Sequence, residues 1–132
     1  MKPLVIYHAD CTDGYGAAFA AWLKLGDEAE YLPMGYEDKS LHHPFDLREM
    51  VIDRDVYILD FSFPRPMMEQ MFVDAKRVVW LDHHATSRPY AEDRCGGYIG
   101  SRTERHSRSY DIVHDNNKSC FRRWRASQRC WL

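Results

Sequence analysis

No stretch of about 18 apolar residues occurs in this 132-residue chain, so the sequence predicts no membrane-spanning helix. A secretory cleavage pattern is also missing: Met1, Lys2 and Pro3 lead straight into a strand-like segment, from which we expect a cytoplasmic protein. Cysteine is sparse and scattered. Cys11, Cys95, Cys120 and Cys130 contain no Cys-x-x-Cys pair and no zinc-ribbon spacing, which fits reduced thiols better than a disulfide framework. There is no internal repeat and no low-complexity tract. Excess charge of either sign is lacking overall, with a formal net charge of -2, yet the two ends differ. Residues 1–93 carry 9 basic and 17 acidic side chains, whereas residues 94–132 carry 9 basic and 3 acidic ones. The first part can attract divalent cations and the second can meet phosphates.

What is present is a set of short, β-rich apolar runs alternating with helical ones. Leu4–Tyr7, Val56–Phe61 and Arg77–Leu81 read as buried strands, and Ala29–Met34 as an edge strand because Pro33 cannot donate to a ladder. Gly14–Leu25 is a strong helix former, apolar nearly all round, as for a helix pressed against a sheet. A loop is expected over Gly35–Phe45, then a short helix from Asp46, with Asp46 as its cap. Pro64 and Pro66 open a helix to about Ala75, with Met67, Met68, Met71 and Phe72 on one face. The alternation predicts an α/β fold: a mostly parallel sheet with helices on both faces. Tyr110–Val113 reads as a last strand, and residues 119–132 as a basic, aromatic tail distinct from a domain over 1–118.

Chemistry gathers where the strands end. His8, Asp10 and Asp13 fill the turn after the first strand, Asp60 closes the third, and Asp82, His83 and His84 follow the fourth. Ligands bind outside the carboxyl ends of strands in open parallel sheets, so these residues are expected to converge. Their mixture of hard oxygen and borderline nitrogen suits Mn²⁺, and also admits Mg²⁺, Fe²⁺ or Zn²⁺. Asp60 is the candidate bridge between two ions. Gly14 and Gly16 would let a ligand approach the helix start. An Asp after a strand is as often a turn former or cap, and Asp10 and Asp13 can be read that way. His42, His43, His106 and His114 lack such a context and read as surface residues.

The stretch His8-Ala9-Asp10-Cys11-Thr12-Asp13-Gly14, followed by Asp60-Phe61-Ser62 and Asp82-His83-His84, resembles the three successive motifs of the DHH phosphoesterases. That family includes RecJ-type nucleases, oligoribonucleases, manganese pyrophosphatases and exopolyphosphatases, and the His-x-x-Cys-x-Asp-Gly form is similar to a small bacterial and phage-borne branch. The resemblance covers about residues 4–119. It implies His8, Asp10, Asp13, Asp60 and His83 as ligands of two Mn²⁺ ions, with Mg²⁺ as a substitute. It also implies His84 and Gly14 at the substrate phosphate, with Asp82 and His84 as the catalytic pair and Asp82 bracing the histidines. The implied reaction is two-metal hydrolysis of a phosphate ester of a nucleotide or short oligonucleotide.

The family's fourth motif and its C-terminal domain have no counterpart after Asp111 and Asp115, so the sequence is expected to be a member truncated near Ser119. A competing expectation is therefore a metal- or nucleic-acid-binding remnant without turnover, using Arg122, Arg123 and Arg125 on phosphates. A purely structural α/β domain would require all three acid-bearing strand ends to be accidental.

Overall fold

The structure, a computed structural model, describes residues 1–37, 44–87, 89–91, 110–115 and 118–121, with the backbone alone at 44–46, 110–115 and 118–121. Strand β1 (Leu4–His8) leads through α1 (Thr12–Leu25) and a 3-10 turn (Gly26–Glu28) to β2 (Glu30–Met34). Helix α2 (Pro44–Val51), β3 (Asp55–Leu59), α3 (Arg65–Asp74) and β4 (Arg77–Asp82) follow, then β5 (Tyr110–Asp115) and β6 (Lys118–Phe121). The sheet order is β2-β1-β3-β4-β5-β6, parallel from β2 to β4 and antiparallel beyond. The architecture is α/β. Among the described residues no helix is long and apolar enough to cross a membrane.

Strand order explains the two layers of helices. From β1 the chain moves to β2 on one side, then returns to β3 on the other, so right-handed crossovers place α1 on one face and α2 and α3 on the opposite one. Side-chain alternation fits both layers. Leu4, Ile6, Val56, Ile58, Val78 and Trp80 pack with Leu47 and Val51 of α2 and with Met67, Met68, Met71 and Phe72 of α3. Val5 and Leu59, with half-buried Tyr7, Tyr57 and Leu81, meet Ala17, Ala21 and Leu25 of α1. Each large apolar side chain fully buried in this way contributes about 1.5–3 kcal/mol.

Several boundaries differ from the sequence reading. Helix α1 begins two residues early, at Thr12, which puts Asp13 in its first turn, and Cys11 takes the N-cap position. Among the described residues nothing covers its outer face: Tyr15, Phe19, Trp22 and Leu23 are 46–63% exposed, because the sheet takes up only the alanine-rich stripe. Helix α2 begins at Pro44, the residue type favoured in a first turn, so Asp46 lies inside the helix and not at its cap. Strand β3 stops at Leu59, and Asp60 turns away with φ of 52°. Strand β6 spans the expected division between 118 and 119. His42, His43, His106, Arg122, Arg123 and Arg125 lie outside the described residues.

The register carries the architecture to the site. Tyr7 aligns with Leu59, and Leu59 with Leu81, so His8, Asp60 and Asp82, the next residue in each case, reach one level at the carboxyl edge. The crevice between β1 and β3 is where the strand order reverses, the position at which open α/β sheets bind ligands.

Candidate metal centre

Asp60 stands at the middle of the cluster. It is 7% exposed and its two carboxylate oxygens face different partners. Oδ1 lies 3.0 Å from His83 Nε2 and 3.8 Å from His84 Nδ1, while Oδ2 lies 3.6 Å from His8 Nδ1. The last separation exceeds the roughly 2.7–3.2 Å of a hydrogen bond, and both atoms are buried without a hydrogen-bond partner. Leaving such groups unpaired costs about 1–3 kcal/mol each. A cation between them would remove that cost: atoms that ligate one ion at about 2.0–2.3 Å lie roughly 3.3–4.6 Å apart.

Two groups of three ligand atoms, each within 4.8 Å, share this carboxylate: His8, Cys11 and Asp60 form one, and Asp60, His83 and His84 the other. Of the five expected ligands, the structure thus brings His8, Asp60 and His83 together. Asp13 stands at the margin, two-thirds exposed, with Oδ2 at 3.8 Å from His83 Nε2. Asp10 joins neither group; it is exposed, and its φ of 54° marks a sharp turn immediately before Cys11.

Behind this cluster, Asp82 is 4% exposed and organises His84. Its Oδ1 accepts from the His84 backbone N–H at 3.0 Å and faces His84 Nδ1 at 2.6 Å, while Oδ2 accepts from the Ser62 hydroxyl. Nδ1 therefore carries the ring proton, and Nε2 is the free atom. Burial alone would raise the Asp82 carboxyl, but the hydrogen bonds from Ser62, the His84 amide and ring, and Ser87 outweigh it and hold the group below its ordinary value of 3.8. Ser62 in turn accepts from the buried Trp80 indole at 3.1 Å.

A Cβ on Gly14 would sit 2.1 Å from the His8 carbonyl oxygen, so its missing side chain lets α1 approach the end of β1 closely. An open cleft of about 280 Å³, lined by Thr12, Asp13, Gly16, Ala17, Asp60, Leu81, Asp82 and His83, leads to the cluster from the α1 side. This is close to the lower limit for small-molecule sites, about 300 Å³.

Sequence reasoning missed Cys11 as a site residue, along with Tyr36. Cys11 stood inside the motif that carried the resemblance, but its spacing to other cysteines drew attention elsewhere. Tyr36 follows β2 as the acids follow their strands. Its ring stacks on Phe61 at 4.7 Å, meets His8 edge-on at 5.0 Å and remains 48% exposed. Burial, then the Asp82 and Asp60 carboxylates, raise its hydroxyl above the ordinary 10.0 against a hydrogen bond with the Ser62 backbone.

No family model matches the chain, and no solved structure matches it significantly. Among curated proteins it is similar to an uncharacterized protein of Acanthamoeba polyphaga mimivirus, 25% identical over 93 residues. That alignment covers 64% of this chain and 22% of the viral protein.

Proposed function

We propose that this chain is a divalent-metal phosphoesterase of the DHH type, cytoplasmic, hydrolysing a phosphate ester of a nucleotide or short oligonucleotide. The observation that carries the reading is Asp60, whose two oxygens look toward separate imidazole-bearing groups, the arrangement required of a bridging carboxylate. His8, Asp60 and His83 would hold the ions, with Asp13 in reach of the second. Bound divalent ions would supply charge stabilisation at a phosphoryl oxygen and an activated water.

The protein's own residues do the rest. Asp82, kept ionised by its hydrogen bonds, fixes the His84 proton at Nδ1 and leaves Nε2 free, the atom that would meet a substrate phosphate and take up or return a proton there. The exposed ring of Tyr36 offers a stacking surface for a base beside that imidazole. The cleft beside the cluster is open to solvent, so a substrate could extend beyond it.

The test is a hydrolysis screen with Mn²⁺, then Mg²⁺, against a model phosphodiester, short RNA, short DNA and polyphosphate. Turnover that needs the metal and disappears in His83→Ala is expected. Equal rates in the two proteins would overturn the assignment. A second reading, binding without turnover, is favoured by the outward position of Asp10. It predicts metal uptake by calorimetry with no hydrolysis of any substrate.

A further inference from the structure

We propose that His8, Cys11 and Asp60 form a thiolate-bearing metal site selective for a borderline-soft divalent cation of the Zn²⁺ class over Mn²⁺ or Mg²⁺. The inference rests on the reading of this sheet edge as a metal centre and deepens it by naming the ion.

Cys11 is a free, half-buried thiol whose sulfur lies within 4.8 Å of both His8 and Asp60 ligand atoms. A second observation points to a ligand at the same place. Asp60 is more than nine-tenths buried, and its Oδ2, like His8 Nδ1, is without a hydrogen-bond partner. Nor does the Cys11 side chain cap the helix that follows it. It occupies the N-cap of α1 with extended backbone (φ -127°, ψ 132°) but makes no cap hydrogen bond, at a position where Ser, Thr, Asp or Asn would stabilise the helix by about 1 kcal/mol. The sharp turn at Asp10 sets the chain direction there.

The donor set decides the ion. One imidazole nitrogen, one sulfur and one carboxylate oxygen make a mixed site of the kind that binds Zn²⁺, whereas Mg²⁺ and Mn²⁺ prefer oxygen-rich surroundings. On binding, the Cys11 S–H bond is replaced by a sulfur–metal bond and the proton passes to solvent, with no change of oxidation state.

Nitrogen–oxygen sites already favour Zn²⁺ over Mn²⁺, so the discriminating measurement is the change on removing sulfur. The metal-free full chain is loaded with Co²⁺ under reducing conditions and its near-ultraviolet absorbance recorded, and Cd²⁺ and Mn²⁺ affinities are measured by calorimetry. A thiolate-to-cobalt charge-transfer band is expected in the wild type and in a variant with Cys95, Cys120 and Cys130 changed to Ser, and not in Cys11→Ser. Cys11→Ser should weaken Cd²⁺ by at least about tenfold, the loss that even an outer partner of a ligand causes, and Mn²⁺ by less than about threefold. Cys11→Asp should hold Mn²⁺ at least as tightly as the wild type does and leave Cd²⁺ weakened. Bound Co²⁺ without the band, or a band surviving in Cys11→Ser, overturns the thiolate site and leaves the metal centre standing. Failure of the wild type to bind Co²⁺ and Mn²⁺ overturns both.

Discussion

The two ends of the same sheet treat buried polar groups in opposite ways. At the amino edge, Arg54 is 7% exposed and every nitrogen of its guanidinium is engaged. Nε donates to Lys2 O at 2.8 Å, Nη1 to Met50 O at 3.2 Å, and Nη2 to Glu30 Oε2 at 2.7 Å and Pro3 O at 3.5 Å. These bonds tie the starts of β1 and β2 to the end of α2. At the carboxyl edge, Asp60 is buried to the same degree and His8 is half-buried, yet one atom of each faces the other unpaired. A charge that satisfies all its neighbours holds structure together; a buried one left unpaired is a candidate for binding.

Removing the charge at each end should therefore have opposite consequences. Asp60→Asn is expected to take metal-dependent hydrolysis to background and to weaken metal binding by more than about tenfold, while the unfolding free energy of the metal-free protein falls by less than about 1 kcal/mol. Hydrolysis assays, calorimetry and urea titration on one preparation would show the split. Arg54→Ala should do the reverse, costing on the order of 3 kcal/mol of stability by urea titration and leaving the metal affinity of the folded protein unchanged. If Arg54→Ala abolished metal binding in folded protein, the two ends would not be separable.

Gly14→Ala is predicted to couple the properties that the first two variants separate. The added methyl would press on the His8 backbone, lowering stability by about 1–3 kcal/mol and displacing an imidazole ligand, so the urea midpoint and the metal affinity should fall together. The smallest effect concerns Asp82. Its folded carboxyl lies below the ordinary 3.8, so the unfolded chain takes up the proton first as pH falls. The stability contributed by its ionisation is fully present above the ordinary carboxylate range and is lost as pH drops through the folded value. The stabilities of wild type and Asp82→Asn should thus converge as pH is lowered from the neutral range through and below the ordinary carboxylate value.

The parallel core was legible because its strands are buried on both faces and appear as unbroken apolar runs, as in Leu4–Ile6 and Val78–Leu81. The Met67, Met68, Met71 and Phe72 stripe was equally plain, since helical spacing alone gathers it on one side. The meeting of His8, Asp60 and His83 followed from their places at strand ends. Within the first turn, however, spacing could not say which of Asp10 and Cys11 looks inward. That depends on a left-handed backbone angle at a residue that is not glycine, and no composition signal marks it. The bare outer face of α1 was illegible for a related reason: an all-apolar helix does not reveal how much of it the rest of the protein covers.

The Trp80 indole, 1% exposed, gives its proton to both the Phe61 carbonyl and the Ser62 hydroxyl, and Ser62 passes its own to the carboxylate that steers His84. The hydrophobic interior and the histidine-aspartate cluster are thus wired in series. Substituting even a well-fitting apolar ring at position 80 would loosen an imidazole four residues away, so this fold cannot be repacked for thermal tolerance at that position without also disturbing the cluster at the sheet edge.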